Sequence, residues 1–363
     1  MTKKWVAVLG QRDEPTDGVE EYCHYLGAAL SEHAIQLSQI RVPWTSVGWQ
    51  EAVAQVEQRI RESKPEWALI QYTALAWSRR GLPLQLIRVV GAIEKSGTRC
   101  AVVFHDPSPY SGRRVADRIR RQVQLYVMRR IARQADLAVL TIPVERVRWL
   151  PSDVHNTRFI PVGANLPNPE AVWQLHKNKP GVPTIAVFSI TGGVAGEIEV
   201  ARIAEALRFA SDKIGPVRLS VFGRNAETGG AALKQEFAAT PVEVTIQGLL
   251  APEEIVGALG GSDALLFVRG PICTRRGTAL AGVACGLPVV AWEGPETGGP
   301  ISEAGVVSVR ENSGREFGQA LVRILQDDTY RQSLQERSER AQTQYFSWVA
   351  IAAEYVAALR SSK

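Results

Sequence analysis

Residues 275–291 read Arg-Arg-Gly-Thr-Ala-Leu-Ala-Gly-Val-Ala-Cys-Gly-Leu-Pro-Val-Val-Ala. The pattern predicts a basic turn, a helix of small residues over 277–285, a Gly-Leu-Pro break and a buried strand over 288–291. A turn that leads into a helix and then into a buried strand is typical of α/β folds with a parallel sheet. This stretch therefore indicates the fold class of at least the second half of the chain.

The beginning of that predicted helix is a candidate phosphate site. Unpaired backbone amides and a partial positive charge at a helix N-terminus suit a phosphate group. Arg275 and Arg276 would add fixed charge beside Gly277 and Thr278. Arg224, which follows another predicted strand, is a third candidate cation. The alternative for all three arginines is a solvated position in a surface turn or loop.

The same alternation of strands and helices extends through most of the sequence. In the second half, further strands are predicted over 184–188, 218–222, 242–246 and 264–268, and helices over 197–211, 230–238 and 252–260. In the first half, strands are predicted over 5–9, 67–72, 101–104, 137–140 and 158–161, with a helix over 19–30. Parallel sheets covered on both faces by helices follow from this alternation.

A proline-rich interruption over 161–183 predicts a linker between two domains. We therefore expect two doubly wound, Rossmann-like domains, over 1–165 and 183–342, facing a cleft at the carboxyl ends of their strands. A charged helix over 315–342 and a final helix over 345–360 complete the predicted elements.

Composition narrows the class of protein. Of the 363 residues 45% are hydrophobic and 22% charged, which excludes long disorder, collagen-like repeats and coiled coils. Apolar runs are far shorter than the roughly 20 residues of a membrane-spanning helix. The four cysteines form no Cys-x-x-Cys pair, the five histidines show no metal-ligand spacing, and no signal-peptide pattern precedes the first strand. We therefore expect a cytoplasmic protein without a metal site.

The net charge of +5 is concentrated in one segment. Residues 112–133 carry eight arginines, at 113, 114, 118, 120, 121, 129, 130 and 133, and a single acid, Asp117. This segment therefore has a charge of +7, and the remaining chain has −2. Apolar residues at positions 115, 119, 123, 126, 127 and 131 predict an amphipathic basic helix over 113–133. A local excess of this kind indicates a local anionic partner.

Three interpretations of this helix stay open. The first is peripheral docking to anionic lipid, on the inner face of the membrane, through Arg113, Arg114, Arg118, Arg120 and Arg121. The second is contact of these arginines with an anionic acceptor in the cleft. The third is a solvated helix face whose apolar stripe packs on the sheet. The charge has no accompanying aromatic platform, which argues against a nucleic-acid partner.

Several stretches form an ordered set along nearly the whole chain. The most specific is Ala-Cys-Gly-Leu-Pro-Val-Val-Ala over 284–291. The others are Asp-Gly-Val-Glu-Glu over 17–21, Val-Val-Phe-His-Asp over 102–106, Ala-Asp-Leu-Ala-Val-Leu over 135–140, Ile-Pro-Val-Gly-Ala-Asn over 160–165, Val-Thr-Ile-Gln-Gly over 244–248, Ser-Asp-Ala-Leu-Leu over 262–266 and Phe-Ser-Trp over 346–348. The set resembles the family 4 glycosyltransferases, which are retaining enzymes of the GT-B fold that use nucleotide sugars.

This resemblance implies transfer of a sugar from a UDP- or GDP-linked donor to a glycan, lipid-linked or other anionic acceptor, with retention and without metal or cofactor. It implies that His105 contacts the donor sugar and that Asp106 orders the acceptor side. Asp17 and Gly18 correspond to the glycine loop at the cleft, and the final helix to one that crosses back onto the first domain. From the residues alone, His105 could equally be a structural histidine, and Gly18 part of an ordinary tight turn.

Two departures from the family pattern bear on activity. The family's Glu-x7-Glu pair, which contacts the donor sugar and the nucleotide ribose, corresponds to Cys273 and Ala281. The expected Arg…Lys pair is absent from 189–196, so Arg275 and Arg276 would have to supply the diphosphate charge. These changes motivate the alternative of an inactive GT-B-derived binding or scaffold protein. A third alternative, a sugar-nucleotide epimerase, has only His105 and Asp106 as candidate acid–base residues.

Overall fold

The structure is a computed structural model that describes residues 2–112, 114–176 and 181–361. The chain divides into two compact units. Unit 1 comprises the chain up to Val162 together with the segment from Trp348 onward, and unit 2 comprises Gly163–Ser347. Each unit is built around its own parallel sheet, so each is described by itself.

Unit 1 is a doubly wound α/β unit. Its strands are β1 (Lys3–Leu9), β2 (Ile35–Arg41), β3 (Trp67–Tyr72), β4 (Arg99–Phe104), β5 (Leu137–Leu140) and β6 (Thr157–Phe159). The helices between them are α1 (Gly18–Ser31), α2 (Trp44–Ser63), α3 (Leu86–Lys95) and α4 (Val115–Gln134). The strand order is β2-β1-β3-β4-β5-β6 with parallel pairing, and β1, β3 and β4 are almost completely buried. The order reverses between β1 and β3, which is where such sheets open a crevice at their carboxyl edge.

Unit 2 repeats this architecture. Its strands are β7 (Thr184–Phe188), β8 (Val217–Phe222), β9 (Val242–Gly248), β10 (Ala264–Leu266), β11 (Val289–Trp292) and β12 (Val306–Val309). Its helices are α5 (Gly193–Ile214), α6 (Ala226–Glu236), α7 (Pro252–Gly260), α8 (Gly277–Ala284), α9 (Pro300–Glu303), α10 (Gly314–Gln326) and α11 (Asp328–Ala341). The strand order is β12-β11-β10-β7-β8-β9, again parallel, so the chain reverses direction between β7 and β10.

The helix α12 (Trp348–Ser361) packs on α1 within unit 1. The hydroxyls of Tyr22 and Tyr355 hydrogen-bond at 2.8 Å in the buried interface between these helices. The ring of Trp348 stacks on Tyr25, with 5.6 Å between ring centroids. Paired aromatic rings and a satisfied buried hydroxyl pair thus fix α12 on α1.

The sequence prediction of two parallel α/β units is confirmed, with differences at several elements. β2 and β12 were not predicted, and the helix expected over 315–342 is two helices, α10 and α11. The break lies at Asp327, whose carboxylate accepts a hydrogen bond from the Tyr330 amide at 2.8 Å and so caps α11. After β6 in the chain, part of the proline-rich stretch forms a 3₁₀ helix, Pro169–His176, which packs on α7 and α8 within unit 2.

No helix of the described residues is long and apolar enough to cross a membrane.

Candidate functional site

The carboxyl edge of the unit 2 sheet holds a cluster of arginines. Arg224 follows β8, Arg269 follows β10, and Arg276 lies immediately before α8. Burial lowers the pKa of Arg269, and Arg276 and Arg224 lower it further, whereas Glu199 acts in the opposite direction. The Arg269 Nε atom is buried without a hydrogen-bond partner. Three half-buried guanidinium groups that repel one another in this way form a site suited to an anion.

The fourth arginine of this arginine cluster, Arg275, is paired with an acid. Its Nε and Nη2 atoms both lie 3.0 Å from Glu296 Oε2, in the loop after β11. The same oxygen is 3.5 Å from the Cys273 thiol. Burial, followed by repulsion from Arg275, lowers the pKa of Arg276. The cluster therefore gathers four guanidinium groups around the carboxylates of Glu199 and Glu296, and it keeps an excess of positive charge.

Strained backbone fixes the position of Arg224. Its amide donates to Ser189 Oγ at 3.0 Å, and its carbonyl accepts from the Ile190 amide at 2.9 Å. Ser189 itself has a φ of +68°, and the adjacent Gly223 has a φ of +91°. A Cβ atom at Gly223 would lie 2.4 Å from Ser189 Oγ, so only glycine allows this approach. The loops after β7 and β8 are thereby held against each other at the switch point of the sheet.

Two helices begin beside this switch point. α5 follows β7 directly, and neither its N-cap residue Gly192 nor the N-cap residue Arg276 of α8 makes a side-chain capping bond. Gly277 and Thr278 form the first turn of α8, as the sequence predicts. Buried Glu199, on α5, instead accepts from the Thr191 amide at 2.7 Å. Arginine side chains and helix N-termini therefore come together at one edge, and this combination favours a multiply charged anion such as a diphosphate.

Comparison with known proteins gives the fold of the whole chain. No family model matches the sequence, and no curated protein matches it. Among solved structures, HepE of Anabaena in complex with UDP is 15% identical with a TM-score of 0.67, covering 99% of this chain and 100% of its own. Sucrose-phosphate synthase of Thermosynechococcus elongatus is 17% identical with a TM-score of 0.68, covering 99% and 98%. The chain has the GT-B fold.

A different activity is also named among the structures that share this GT-B fold. A candidate UDP-N-acetylglucosamine 2-epimerase from Listeria monocytogenes is 12% identical with a TM-score of 0.59, covering 99% of this chain and 96% of its own. Likeness at this identity establishes the GT-B fold and leaves the reaction to be argued from the residues.

His105 in unit 1 is held as a neutral imidazole. Gln71 Nε2 donates to the Leu69 carbonyl, so Gln71 Oε1 is the acceptor that faces His105 Nε2, at 2.7 Å. His105 Nε2 therefore carries the proton, and Nδ1 keeps its lone pair. Burial lowers the pKa of His105 to about 4, and the nearby carboxylate of Asp17 raises it only in part. The ring of Tyr22 packs edge-on against the imidazole at 4.8 Å. This His105 can accept one hydrogen bond from a ligand hydroxyl.

Asp106 follows at the end of β4. Its Oδ2 atom accepts from the Ala74 amide at 3.2 Å, which ties it to the loop after β3. Close by, the Tyr72 hydroxyl is buried without a hydrogen-bond partner, and burial together with the charge of Asp106 raises the pKa of this phenol. Tyr72 was not singled out from the sequence, where it reads as the last residue of a buried strand. Its hydroxyl adds an unsatisfied polar group beside the predicted pair His105 and Asp106.

Asp17 caps α1. One carboxylate oxygen accepts from the amides of Val19 and Glu20 at 3.1 and 3.2 Å, and the other lies 3.3 Å from an Nη atom of Arg41. Gly18 is the exposed first residue of α1. Because a protein carboxylate already occupies these two amides, any ligand contact at this helix N-terminus would have to use other groups.

The basic helix predicted over 113–133 is α4, and its arginines differ in their surroundings. Arg113 lies outside the described residues. Arg120 donates to the Arg80 carbonyl at 2.9 Å, pairs with Asp117 at 3.3 Å and lies over the Tyr110 ring at 4.7 Å from its centroid. Arg114, Arg118 and Arg121 are exposed. Arg120 thus stabilises the fold locally, whereas those three exposed side chains are available for contact.

The apolar stripe of α4 is divided between core and solvent. Val127 and Ile131 are fully buried, whereas Val115, Ile119 and Tyr126 are 74%, 58% and 59% exposed. The third interpretation, an apolar stripe packed on the sheet, therefore does not account for Tyr126 or for Val115 and Ile119 in the N-terminal half of the helix. There, exposed apolar side chains alternate with exposed arginines.

The two positions that depart from the family pattern are buried. Cys273 and Ala281 are 1% and 2% exposed, and burial raises the pKa of the Cys273 thiol. Among the described residues, no group of three or more His, Cys, Asp or Glu side chains could hold a metal ion. Three residues of the cluster, Arg269, Glu199 and Glu296, were not identified from the sequence. Arg269 directly follows a predicted strand, so it could have been found by considering which residue comes after each strand at the carboxyl edge of the sheet.

Proposed function

We propose that the protein is a glycosyltransferase that transfers a sugar from a nucleoside diphosphate sugar to an acceptor. The observation that carries the proposal is the arginine cluster of unit 2, where Arg224, Arg269, Arg275 and Arg276 gather at the switch point of a GT-B fold. HepE, which shares this fold, has been solved with UDP and with UDP-glucose. A nucleoside diphosphate has the charge and size that the cluster would neutralise.

In this proposal the arginines act when the bond between the sugar and the β-phosphate of the donor breaks. The departing nucleoside diphosphate gains negative charge on its β-phosphate, and guanidinium groups already in place stabilise that charge without reorganisation. Arg276 is the central group in this proposal. Burial and repulsion by Arg275 both disfavour its positive charge, so the stabilisation that Arg276 gains from the leaving group increases as negative charge develops on the phosphate. The amides in the first turn of α8, at Gly277 and Thr278, would add hydrogen bonds.

The roles of His105 and Asp106 are taken from the family resemblance. Neutral His105 would accept a hydrogen bond from a sugar hydroxyl at Nδ1, since its Nε2–H group already donates to Gln71 Oε1. Asp106 would order the acceptor. Membership of family 4, retention of configuration and independence of metal belong to the same proposal, with the resemblance as their support.

The acceptor is proposed to be anionic, glycan or lipid-linked, and approached through the N-terminal half of α4. Arg114, Arg118 and Arg121 are exposed there, beside exposed Val115 and Ile119. A lipid-linked acceptor would bring the protein to the inner face of the membrane as a peripheral protein. Each surface cation close to an anionic membrane contributes about 1 kcal/mol. Loss of vesicle co-sedimentation on combining Arg114→Gln, Arg118→Gln and Arg121→Gln is expected, and unchanged co-sedimentation would exclude the membrane contact.

The test of the main proposal is a thermal-stability screen against UDP-, GDP- and ADP-linked sugars. A donor that binds only the native state raises the unfolding midpoint. The donor found in this way is then incubated with candidate acceptors, and the products are analysed for a new glycoside and for epimerised sugar nucleotide. Transfer confirms the proposal, and epimerisation without transfer replaces it with an epimerase. Stabilisation with neither product would favour an inactive nucleotide-binding protein, and no stabilisation by any of these donors would favour the scaffold alternative.

A further inference from the structure

Unit 1 contains a groove that the proposed reaction does not use. It has a volume of about 900 Å³ and lies between the C-terminal half of α4 and the loop that leads to β6. Its charged lining consists of Arg129, Arg130, Arg133 and Arg148, together with Asp153. Because Arg133 is at the end of α4, which runs back toward the start of β5, this part of the groove lies away from the carboxyl edge that holds His105.

The charges of the groove are unbalanced. Asp153 is the only acidic side chain that lines it among the described residues, and it forms a two-atom ion pair with Arg133 at 2.8 and 3.2 Å. That pair is exposed on both sides, with 45% and 61% of the two side chains accessible, so an incoming anion could compete with Asp153. Arg129 is oriented by donating from Nε to the Trp149 carbonyl at 3.2 Å. Among the lining side chains alone, four guanidinium groups and one carboxylate leave an excess of three positive charges. Glu94 of α3, which does not line the groove, attracts Arg130 from the neighbouring helix.

Apart from Gln122 and Ser152, the remaining lining is apolar or aromatic. Tyr126, which is 59% exposed, and the side chains of Ile87, Leu125 and Leu150 border the arginines. A groove that combines guanidinium groups with an apolar wall suits a ligand in which a phosphate is attached to an apolar or aromatic body.

The wall of the groove is joined to the loop after β4. The Trp149 indole donates to the Pro107 carbonyl at 2.6 Å, and its ring lies 5.2 Å from that of Phe104. Pro107 directly follows His105 and Asp106. Because Arg129 bonds to the carbonyl of this same Trp149, a ligand held by Arg129 would stabilise the loop that carries the two predicted site residues.

We propose that this groove is a second anion site, which binds a phosphate-bearing ligand through Arg129, Arg130 and Arg148 and through Arg133 once Asp153 is displaced. The phosphate can be part of a soluble molecule or of a lipid headgroup. The proposal concerns unit 1 alone and does not depend on the transfer reaction.

The test is calorimetric titration of the full chain with inorganic pyrophosphate, in a background carrying Arg224→Gln and Arg276→Gln, which removes two of the four guanidinium groups of the unit 2 cluster and so weakens its contribution. We expect saturable binding that the further pair Arg130→Gln and Arg148→Gln weakens about tenfold or more, since each removes a charged hydrogen-bond donor. The matched control is Arg146→Gln, an exposed arginine of the same loop that does not line the groove. Asp153→Asn is expected to tighten binding, because it releases Arg133.

A parallel arm uses vesicles of phosphatidylcholine with and without phosphatidylglycerol. Pyrophosphate binding that depends on the groove arginines supports a soluble ligand. Vesicle binding that depends on them, without pyrophosphate binding, supports a lipid headgroup. If neither probe binds, or if the groove variants bind as tightly as the Arg146→Gln control, the proposal is overturned.

Discussion

The molecule has two groups of arginines, one formed by residues that are close in sequence and one formed by residues that the fold brings together. In α4 the arginines are close in sequence, and most of them are spread over the exposed face of one helix, where Arg120 and Arg133 are paired with acids. In unit 2 Arg224 and Arg269 are separated by 45 positions in the chain, and the parallel sheet brings them to one edge. The cluster in unit 2 is the more buried, and burial together with neighbouring arginines lowers the pKa of Arg269 and of Arg276.

The difference shows that charge density along a sequence is a poor guide to electrostatic strength in a fold. Exposed charges are screened by water and salt, so each contributes little. Half-buried like charges interact through a medium of lower polarity, so their repulsion is stronger. This repulsion raises the free energy of the ligand-free protein, and a bound anion relieves it. This reasoning supports our proposal that the cluster of unit 2 binds the leaving group and that α4 supplies contact surfaces.

The largest expected effect is on turnover. Arg276→Ala removes a guanidinium from the proposed leaving-group site and should lower the rate of sugar transfer by about 100-fold or more, the scale of a lost oxyanion contact. Steady-state kinetics with the donor found in the screen measures this. The control is Arg315→Ala, an exposed arginine of α10, which should leave the rate unchanged. A wild-type rate in Arg276→Ala would move the leaving-group site elsewhere.

Burial also favours the neutral form of His105 in unit 1, as it disfavours the charged forms of Arg269 and Arg276 in unit 2. Its pKa is about 4 in the folded protein against an ordinary 6.5. The folded state therefore binds fewer protons than the unfolded state between these values, and stability is complete above pH 6.5 and falls as pH drops toward about 4. The loss should amount to about 3 kcal/mol and be reduced in His105→Asn, as measured by urea unfolding at several pH values. Equal losses in both proteins would mean that His105 is not desolvated.

Removing the charge of Arg276 is expected to lower activity but not the stability of the ligand-free protein. Arg276→Met keeps most of the side-chain volume but removes one of the mutually repelling charges. The free energy of unfolding should stay unchanged or rise by about 1 kcal/mol, because a desolvated cation is lost. Urea unfolding measures the change. A clear loss of stability would show that Arg276 is a structural residue. Its charge would then be balanced within the fold, as the charges of the paired arginines Arg120 and Arg133 of α4 are.

The smallest expected effects are in α4. Arg120→Gln loses the contact with the Tyr110 ring, the ion pair with Asp117 and the bond to the Arg80 carbonyl, and should destabilise the protein by about 1 kcal/mol. The neighbouring Arg118→Gln is exposed and should change stability by less than about 0.5 kcal/mol. Thermal unfolding of both variants decides whether these adjacent arginines have the different roles assigned to them.

The fold was predictable wherever strands are buried on both faces. β5 is an uninterrupted apolar run, β3 is buried throughout with Gln71 as its one amide side chain, and the predicted and observed bounds of both strands agree. The two missed strands, β2 and β12, are both at sheet edges, and β2 exposes Gln36 and Gln39. An edge strand has one neighbour and a partly solvated surface, so it lacks the continuous apolar pattern of a central strand.

The site was predictable only in part, because its strongest feature depends on topology. Arg275 and Arg276 stand in a recognisable turn before a helix, and they were found. Arg269 belongs to no motif, and it acquires significance only because β10 lies next to β7, across the switch point. Glu199 occupies the buried face of α5, where sequence reasoning assigned an ordinary helix.

The central claim is that the unit 2 cluster binds the diphosphate of the donor. Calorimetry of the wild type with a nucleoside diphosphate and with the matching nucleoside, repeated for Arg276→Met, tests it most directly. We expect the diphosphate to bind wild type at least about tenfold more tightly than the nucleoside, and Arg276→Met to remove most of this difference. Equal affinity of wild type for the two ligands, or an undiminished difference in the variant, would contradict it.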